Sequence, residues 1–406
     1  MKKATKWQPR KFRPTKHQCL VGLSLLIIIL LAVVASHAAT SSASFEPENG
    51  SASSAITQLV DNTASNGKAV KFGPGSSAGA LSIAVSGKNF VNGQGATVQL
   101  HGVNRSGAEY MCTGGGGPFD GPSDAASVNA MLTWHINAVR IPVNEQCWLG
   151  INGLPNAGYN ATQYQQAIIA FADLLISKNI YPIIDLQWTA DGTNKATGLT
   201  PMPDRDHAPA FWTSAANAFK NRPAVLLDMF NEPWPDNNQG TTAAWTCWKN
   251  GGTCANIAYT AAGMQELVTA VRNTGATNVI VLSGIQYSGN TTQINTYKPT
   301  DPLNQLAGSQ HNYDTYGFCV TTSCWQSSLD GVGNIPFIAG ELGDNSCSPT
   351  YPASYMTWAD TKGVSYLGWA WNTYDCSSFP SLISNFDGTP TAFGAAFKQH
   401  FTQTFP

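Results

Sequence analysis

Charge is scarce in this chain. Asp, Glu, Lys and Arg make up 11% of its 406 residues, where about a quarter is usual. Seven of the 22 Lys and Arg lie before residue 17 and no acid precedes Glu46, so the remainder carries 15 basic against 24 acidic side chains. A body of formal charge −9 is not a nucleic-acid partner. No Cys-x-x-Cys and no His/Cys cluster with zinc spacing occurs, which leaves no metal site to expect. No Gly-x-Gly-x-x-Gly follows the first apolar run, which removes the dinucleotide argument for an open sheet. The uncharged apolar run Leu20–Ala35 has sixteen residues, short of the ~20 that a spanning helix needs.

That run follows the basic segment Lys2–Lys16 and leads into Ser36-His37-Ala38-Ala39, with small residues at the −3 and −1 positions of a cleavage site. This is the layout of an export signal. Residues 1–38 are expected to be a signal peptide or an uncleaved signal anchor. In either case the body lies outside, secreted or tethered to the outer face of the cell membrane by residues 20–35. Abundant Gly, Ser, Thr, Asn and aromatics suit such a location. After Cys19 eight cysteines remain, an even number that suggests disulfides in an exported chain. Eight cysteines allow 105 connectivities, among which the sequence alone does not choose; the expectation pairs the near neighbours Cys247 with Cys254 and Cys319 with Cys324, and joins Cys112 to Cys147 and Cys347 to Cys376.

Residues 39–80, rich in Ser, Ala, Gly and Asn, read as a flexible segment. Leu81–Val91 alternates around Ser86-Gly87 as a short β-hairpin capping the bottom of the domain downstream. Eight apolar runs come next: Val98–Val103, Ala138–Val143, Tyr181–Leu186, Ala224–Phe230, Val279–Leu282, a weak one at Ser309–Tyr313, Pro336–Ala339 and Ser365–Trp371. Helical periodicity lies between them, as in Tyr164, Ile168, Phe171 and Leu175, with Ser123 and Thr162 as expected N-caps. This repeat predicts an α/β chain whose residues 81–406 form a (β/α)8 TIM barrel; an open doubly wound sheet is the alternative.

Barrel chemistry is built where strands end, and the polar residues of this chain collect there. Leu226–Trp234 is an apolar run that stops at Asn231-Glu232-Pro233, and Ile335–Gly343 is another that delivers Glu341 between two glycines. Arg140, Gln187 with Trp188, His311 with Tyr313, and Trp369 with Trp371 fall at the ends of other runs. Taken singly, an arginine is an ion-pair partner, a Trp pair is core and a histidine is a loop residue. Their convergence on one rim makes those readings untenable together. Two carboxylates across an aromatic-lined cleft suit glycoside hydrolysis. Glu232 is the expected acid/base, with Asn231 beside it for a sugar 2-hydroxyl and Trp234 as apolar cover. Glu341 is the expected nucleophile, kept ionised by Arg140 and Tyr313, and the tryptophans fit the apolar faces of pyranose rings.

The ordered set Ala138-Val139-Arg140-Ile141-Pro142, Phe230-Asn231-Glu232-Pro233, His311-Asn312-Tyr313, Gly340-Glu341-Leu342-Gly343 and Gly368-Trp369-Ala370-Trp371-Asn372 resembles glycoside hydrolase family 5 from about residue 90 onward. The resemblance implies a retaining double displacement on β-linked polysaccharide or oligosaccharide, no cofactor, Trp369 under the cleaved sugar, and the roles given above for Glu232, Glu341, Arg140, Tyr313 and Asn231. The chain departs from the family at Gln187, where a histidine usually follows Asp-Leu. An amide can bond a sugar hydroxyl but cannot titrate. His207 in Met202–His207 is a candidate to rebuild that pocket, against a loop ion-pair cluster. The expected activity is an endo-acting β-1,4-glucanase working as a monomer. The alternatives are an exo-acting or mannan-directed β-glycosidase, with loops 114–121 and 245–254 closing one end of the groove, and a non-catalytic carbohydrate-binding surface protein.

Overall fold

The computed structural model describes residues 81–406 apart from 157 and 315–318, and before them only the backbone of two short strands. Those strands, Ile56–Val60 and Lys68–Phe72, pair antiparallel, so the segment expected to lack structure contains a ribbon. Residues 20–35 lie outside the described residues. Among the described residues no helix is long and apolar enough to cross a membrane.

Eight parallel strands close into a barrel: β1 (His101–Asn104), β2 (Ala138–Asn144), β3 (Tyr181–Trp188), β4 (Leu226–Asp228), β5 (Ile280–Ser283), β6 (Leu306–Tyr313), β7 (Phe337–Gly343) and β8 (Ser365–Gly368), with β8 pairing back onto β1. The expected run Val98–Val103 divides, because Thr97–Val98 joins the hairpin of Ile83–Ser86 and Asn89–Asn92 as a third strand. The strand expected over Ala224–Phe230 is only Leu226–Asp228, so Asn231 and Glu232 stand beyond it.

Alternation sorts each strand onto two faces. Ala138, Ile183, Leu226, Val281, Ala307, Ile338 and Leu367 fill the floor of the barrel, where Ile83 and Phe90 of the hairpin plug it. Their neighbours Val139, Ile184, Leu227, Ile280 and Tyr366 pack outward against the helices. Two positions along from the floor, the inward face carries Arg140, Asp185, Asp228, Ser283 and Ser309; two further along it carries Gln187 and His311. The floor is apolar and the rim polar because each strand changes composition along its length.

The helix Ala161–Ser177 starts at Asn160, whose side chain accepts from Gln163 N while the Gln163 side chain returns the bond, so Thr162 is not the cap. Likewise Asp124, not Ser123, caps Ala125–Leu132. All four expected disulfides are formed.

Candidate active site

Glu341 reaches the cleft through an irregularity. On β7 Ile338 points inward, and strict alternation would send Glu341 outward. A register shift places Ala339 opposite Gln310 but Glu341 opposite His311, so Gly340 is the extra residue. A bulge of this kind turns the next side chain inward. Gly340 is required there, since a Cβ would lie 2.5 Å from Ser309 Oγ. Glu232 arrives differently, on the turn after β4, held by the Asn231 N–H bond to Leu186 O at 3.1 Å.

Arg140 is the hub between them. Its Nε donates to Asp228 at 2.9 Å, Nη1 to Glu341 Oε1 at 3.0 Å and Asn104 Oδ1 at 3.1 Å, and Nη2 to Asn231 Oδ1 at 2.9 Å. Asp185 stands 2.9 Å from Nη2 as an ion pair without hydrogen-bond geometry. One buried cation thus faces three buried carboxylates. Burial pushes Asp185, Asp228 and Glu341 above their ordinary range, with the Arg140 charge opposing it in each.

Tyr313 donates to Glu341 Oε2 at 2.7 Å. His311 Nδ1 lies 2.8 Å from Glu232 Oε1 and 3.6 Å from Glu341 Oε2. Burial, with the Arg140 charge, holds the imidazole well below its usual range, so it is neutral. Glu232 is raised well above the carboxylate range by burial and then by the Glu341 charge. Glu341 is raised too, but Arg140 and Tyr313 pull it back. Of the two acids, Glu232 is the one pushed further toward its protonated form.

Two adjoining cavities meet at these acids. The larger, about 600 Å³, is lined by Glu341, Glu232, Trp369, Gln187, Trp188, Tyr313, Tyr110 and Tyr374; the smaller, about 330 Å³, by Glu232, His311, Tyr313, Gln286 and Tyr287. Every expected site residue lines the cleft except Arg140 and Asn231, which lie buried beneath it. Asn231 Nδ2 is buried with no protein partner, as are Gln187 Oε1 and His311 Nε2.

Two expectations change, for Trp371 and for the two loops, while His207 takes the ion-pair place weighed above. Trp371 is fully buried edge-on against Trp134, a core side chain rather than a platform. Trp234 stacks on Tyr287. His207 lines neither cavity; its Nδ1 sits 3.0 Å from Asp204 Oδ1 and 3.0 Å from Ala190 O, in the ion-pair cluster with Glu145. No residue of 114–121 or 245–254 lines either cavity, so these loops do not close the groove. The sequence reading missed Asp228, Tyr110, Tyr374 and Glu109, whose cleft-lining carboxyl is pushed by burial up to about 8. Asp228 could have been found as an acid inside an apolar strand at the parity of Leu226; the tyrosines sit on loops without a pattern.

Glu145, Asp204 and His207 bring ligand atoms within 4.8 Å of one another, as do Glu232, His311 and Glu341. In the first group the imidazole Nδ1 carries its proton toward the Ala190 carbonyl, so that nitrogen is already engaged. In the second, the oxygens of Glu232 and Glu341 approach within the same 4.8 Å, in keeping with the ~5–5.5 Å carboxyl spacing of retaining glycosidases.

A closed barrel with a paired-acid cleft at the C-terminal ends of its strands defines a glycoside hydrolase of the (β/α)8 class. Residues 91–375 match the family described as cellulase, glycosyl hydrolase family 5. The chain belongs to that family. It is 23% identical over 194 residues to a mannan endo-1,4-β-mannosidase of Cellvibrio japonicus (strain Ueda107), covering 45% of this chain and 41% of that protein. The chain thus spans less than half the length of this relative. Among solved structures, a β-glucanase of Saccharophagus degradans in complex with cellotetraose superposes with a TM-score of 0.59 at 18% identity, over 80% of this chain and 94% of that one. The mannanase catalytic domain from Streptomyces sp. SirexAA-E gives 0.54 at 18% identity, over 78% and 89%.

Proposed function

We propose that the chain is an exported, endo-acting β-1,4-glucanase that works by double displacement. The observation that carries this reading is the split of the two acids, Glu232 driven far up by burial and Glu341 restrained by Arg140 and Tyr313. Glu232 donates its proton to the glycosidic oxygen while Glu341 attacks the anomeric carbon to form a glycosyl ester. Glu232, now ionised, then deprotonates the water that cleaves that ester. His311 keeps Glu232 in place. Its Nδ1, 2.8 Å from Glu232 Oε1, makes the bond that orients the carboxyl. Asn231 Nδ2 is free for the sugar 2-hydroxyl and Gln187 for a second hydroxyl, with Trp369 and Trp188 against the ring faces.

Open cleft on both sides of the acid pair supports cutting inside a chain. The basic and apolar start, with four disulfides in the body, supports export, either secreted or anchored at residues 20–35. A mannan substrate is the second reading, favoured by the Cellvibrio relative. Mass spectrometry of products from soluble cellulose, mannan and xylan decides. Mixed-length cello-oligosaccharides are expected; manno-oligosaccharides support the second reading, release from chain ends alone overturns the endo mode, and no product from any polymer overturns the hydrolase reading.

A further inference from the structure

Beyond the acid pair, the larger cavity runs to the loop 372–381 that follows β8. This is the glycone side, because that cavity holds Glu341 and Trp369 whereas the smaller one reaches Glu232 without Glu341. The loop is tied down along its length. Asn372 Nδ2 donates to Asp120 Oδ2 at 2.6 Å, the Tyr374 hydroxyl lies 2.8 Å from Ser106 Oγ and 2.9 Å from the Tyr110 hydroxyl, and Cys376 is bridged to Cys347. At its end stands Phe379, whose ring lies 5.9 Å from that of Tyr374 and borders the cavity. It is 58% exposed, the most exposed large apolar side chain among the described residues. A fixed loop that holds a bare ring at the mouth of an aromatic-lined cleft exposes apolar surface that none of the described residues covers.

We propose that the 372–381 loop forms a distal sugar-binding subsite, with Phe379 as the stacking platform for a β-linked hexose unit remote from the cleaved bond. The occupant is the glycone part of the polysaccharide, since the surface is continuous with the catalytic cleft and offers a ring face without a charge. Pyranoses whose hydroxyls are equatorial present flat C–H faces that suit such a ring. The tyrosine hydroxyls are occupied by one another and by Ser106, so this subsite grips by stacking rather than by hydrogen bonds. The proposal rests on the glycosidase reading and entails a preference for longer substrates.

The test compares kcat/KM over cello- and manno-oligosaccharide ladders from trimer to hexamer for the whole chain, Phe379→Ala and Phe379→Trp. In the alanine variant the hexamer-to-trimer ratio should fall by roughly ten-fold, carried by KM rather than kcat. Phe379→Trp should restore it. An unchanged ratio, or an equal loss at every length, overturns the platform. Cleavage of the manno ladder alone sinks the glucanase reading while the same ratio still tests Phe379. If the wild type cleaves neither ladder, calorimetric binding of the two hexamers decides: weaker binding by Phe379→Ala supports the platform, and equal or absent binding overturns it.

Discussion

Two arginines, a buried one at the rim of the barrel and a half-buried one at its floor, show how differently the two ends are built. Arg272, on the floor side, meets one carboxylate: Asp301 takes Nε at 2.8 Å and Nη2 at 3.0 Å, and Nη1 donates to the carbonyls of Ala276 and Asn278. Burial raises the Asp301 carboxyl, but the Arg272 bonds outweigh it and hold the group below its ordinary range. Arg140, at the rim, is shared by Asp185, Asp228 and Glu341, and all three are pushed up. A cation with one partner stabilises a fold; a cation divided among three leaves carboxylates near their titration range, where acid/base chemistry is done. At the rim Gln187 Oε1 and His311 Nε2, and beneath them Asn231 Nδ2, also lack protein partners among the described residues.

The largest effect should come from Glu341→Gln, which removes the proposed nucleophile. Turnover of any cleaved substrate should fall at least ~10³-fold, while calorimetry still detects oligosaccharide binding; unchanged hydrolysis ends the assignment. Arg140→Met comes next, because it leaves three carboxylates facing one another. Unfolding in denaturant should show a loss of about 3–5 kcal/mol, with kcat of the folded fraction down by ~10²-fold or more. Asp301→Asn should match only half of this. It should cost about 3 kcal/mol and leave kcat within two-fold of wild type, and an equal loss of activity would erase the distinction between the two ends.

Acid should also separate them. Since the Asp301 carboxyl is depressed on folding, its contribution is complete above the unfolded value of about 4 and is lost as pH falls through the folded value. Asp301→Asn should therefore flatten the acid limb of the stability profile. The activity profile has the other sign at its upper end: Glu232, raised on burial, must stay protonated, so the rate falls as pH rises through its pKa, and it falls at low pH when Glu341 takes a proton. With an activated aryl glycoside, Glu232→Gln should lose the alkaline limb. The smallest effect is expected from Gln187→His, a few-fold change in kcat/KM together with a new titration near neutrality.

Eight strands, and the arrival of both glutamates at one cleft, were legible in the sequence because apolar runs that end in polar residues mark barrel strands and their exits together. The two short disulfides, Cys247–Cys254 and Cys319–Cys324, follow from closeness in sequence, whereas Cys112–Cys147 and Cys347–Cys376 span 35 and 29 positions and needed the fold to single them out among 105 connectivities. Other features depend on register and packing, which spacing does not encode. Glu341 reaches the cleft only through the bulge at Gly340. Trp371 looks like Trp369 in sequence but faces Trp134 in the core. Asn160 outcompetes Thr162 as a cap because Gln163 completes a reciprocal pair with it, and Tyr374 joins the cleft through loop contacts far away in sequence.

Central to the proposed mechanism are Glu232 as acid/base and Glu341 as nucleophile. Proton NMR of the anomeric region during the first minutes of oligosaccharide cleavage tests that directly, before mutarotation mixes the products. The β-anomer should form first. Initial appearance of the α-anomer would mean a single displacement by water, and would contradict the nucleophilic role of Glu341.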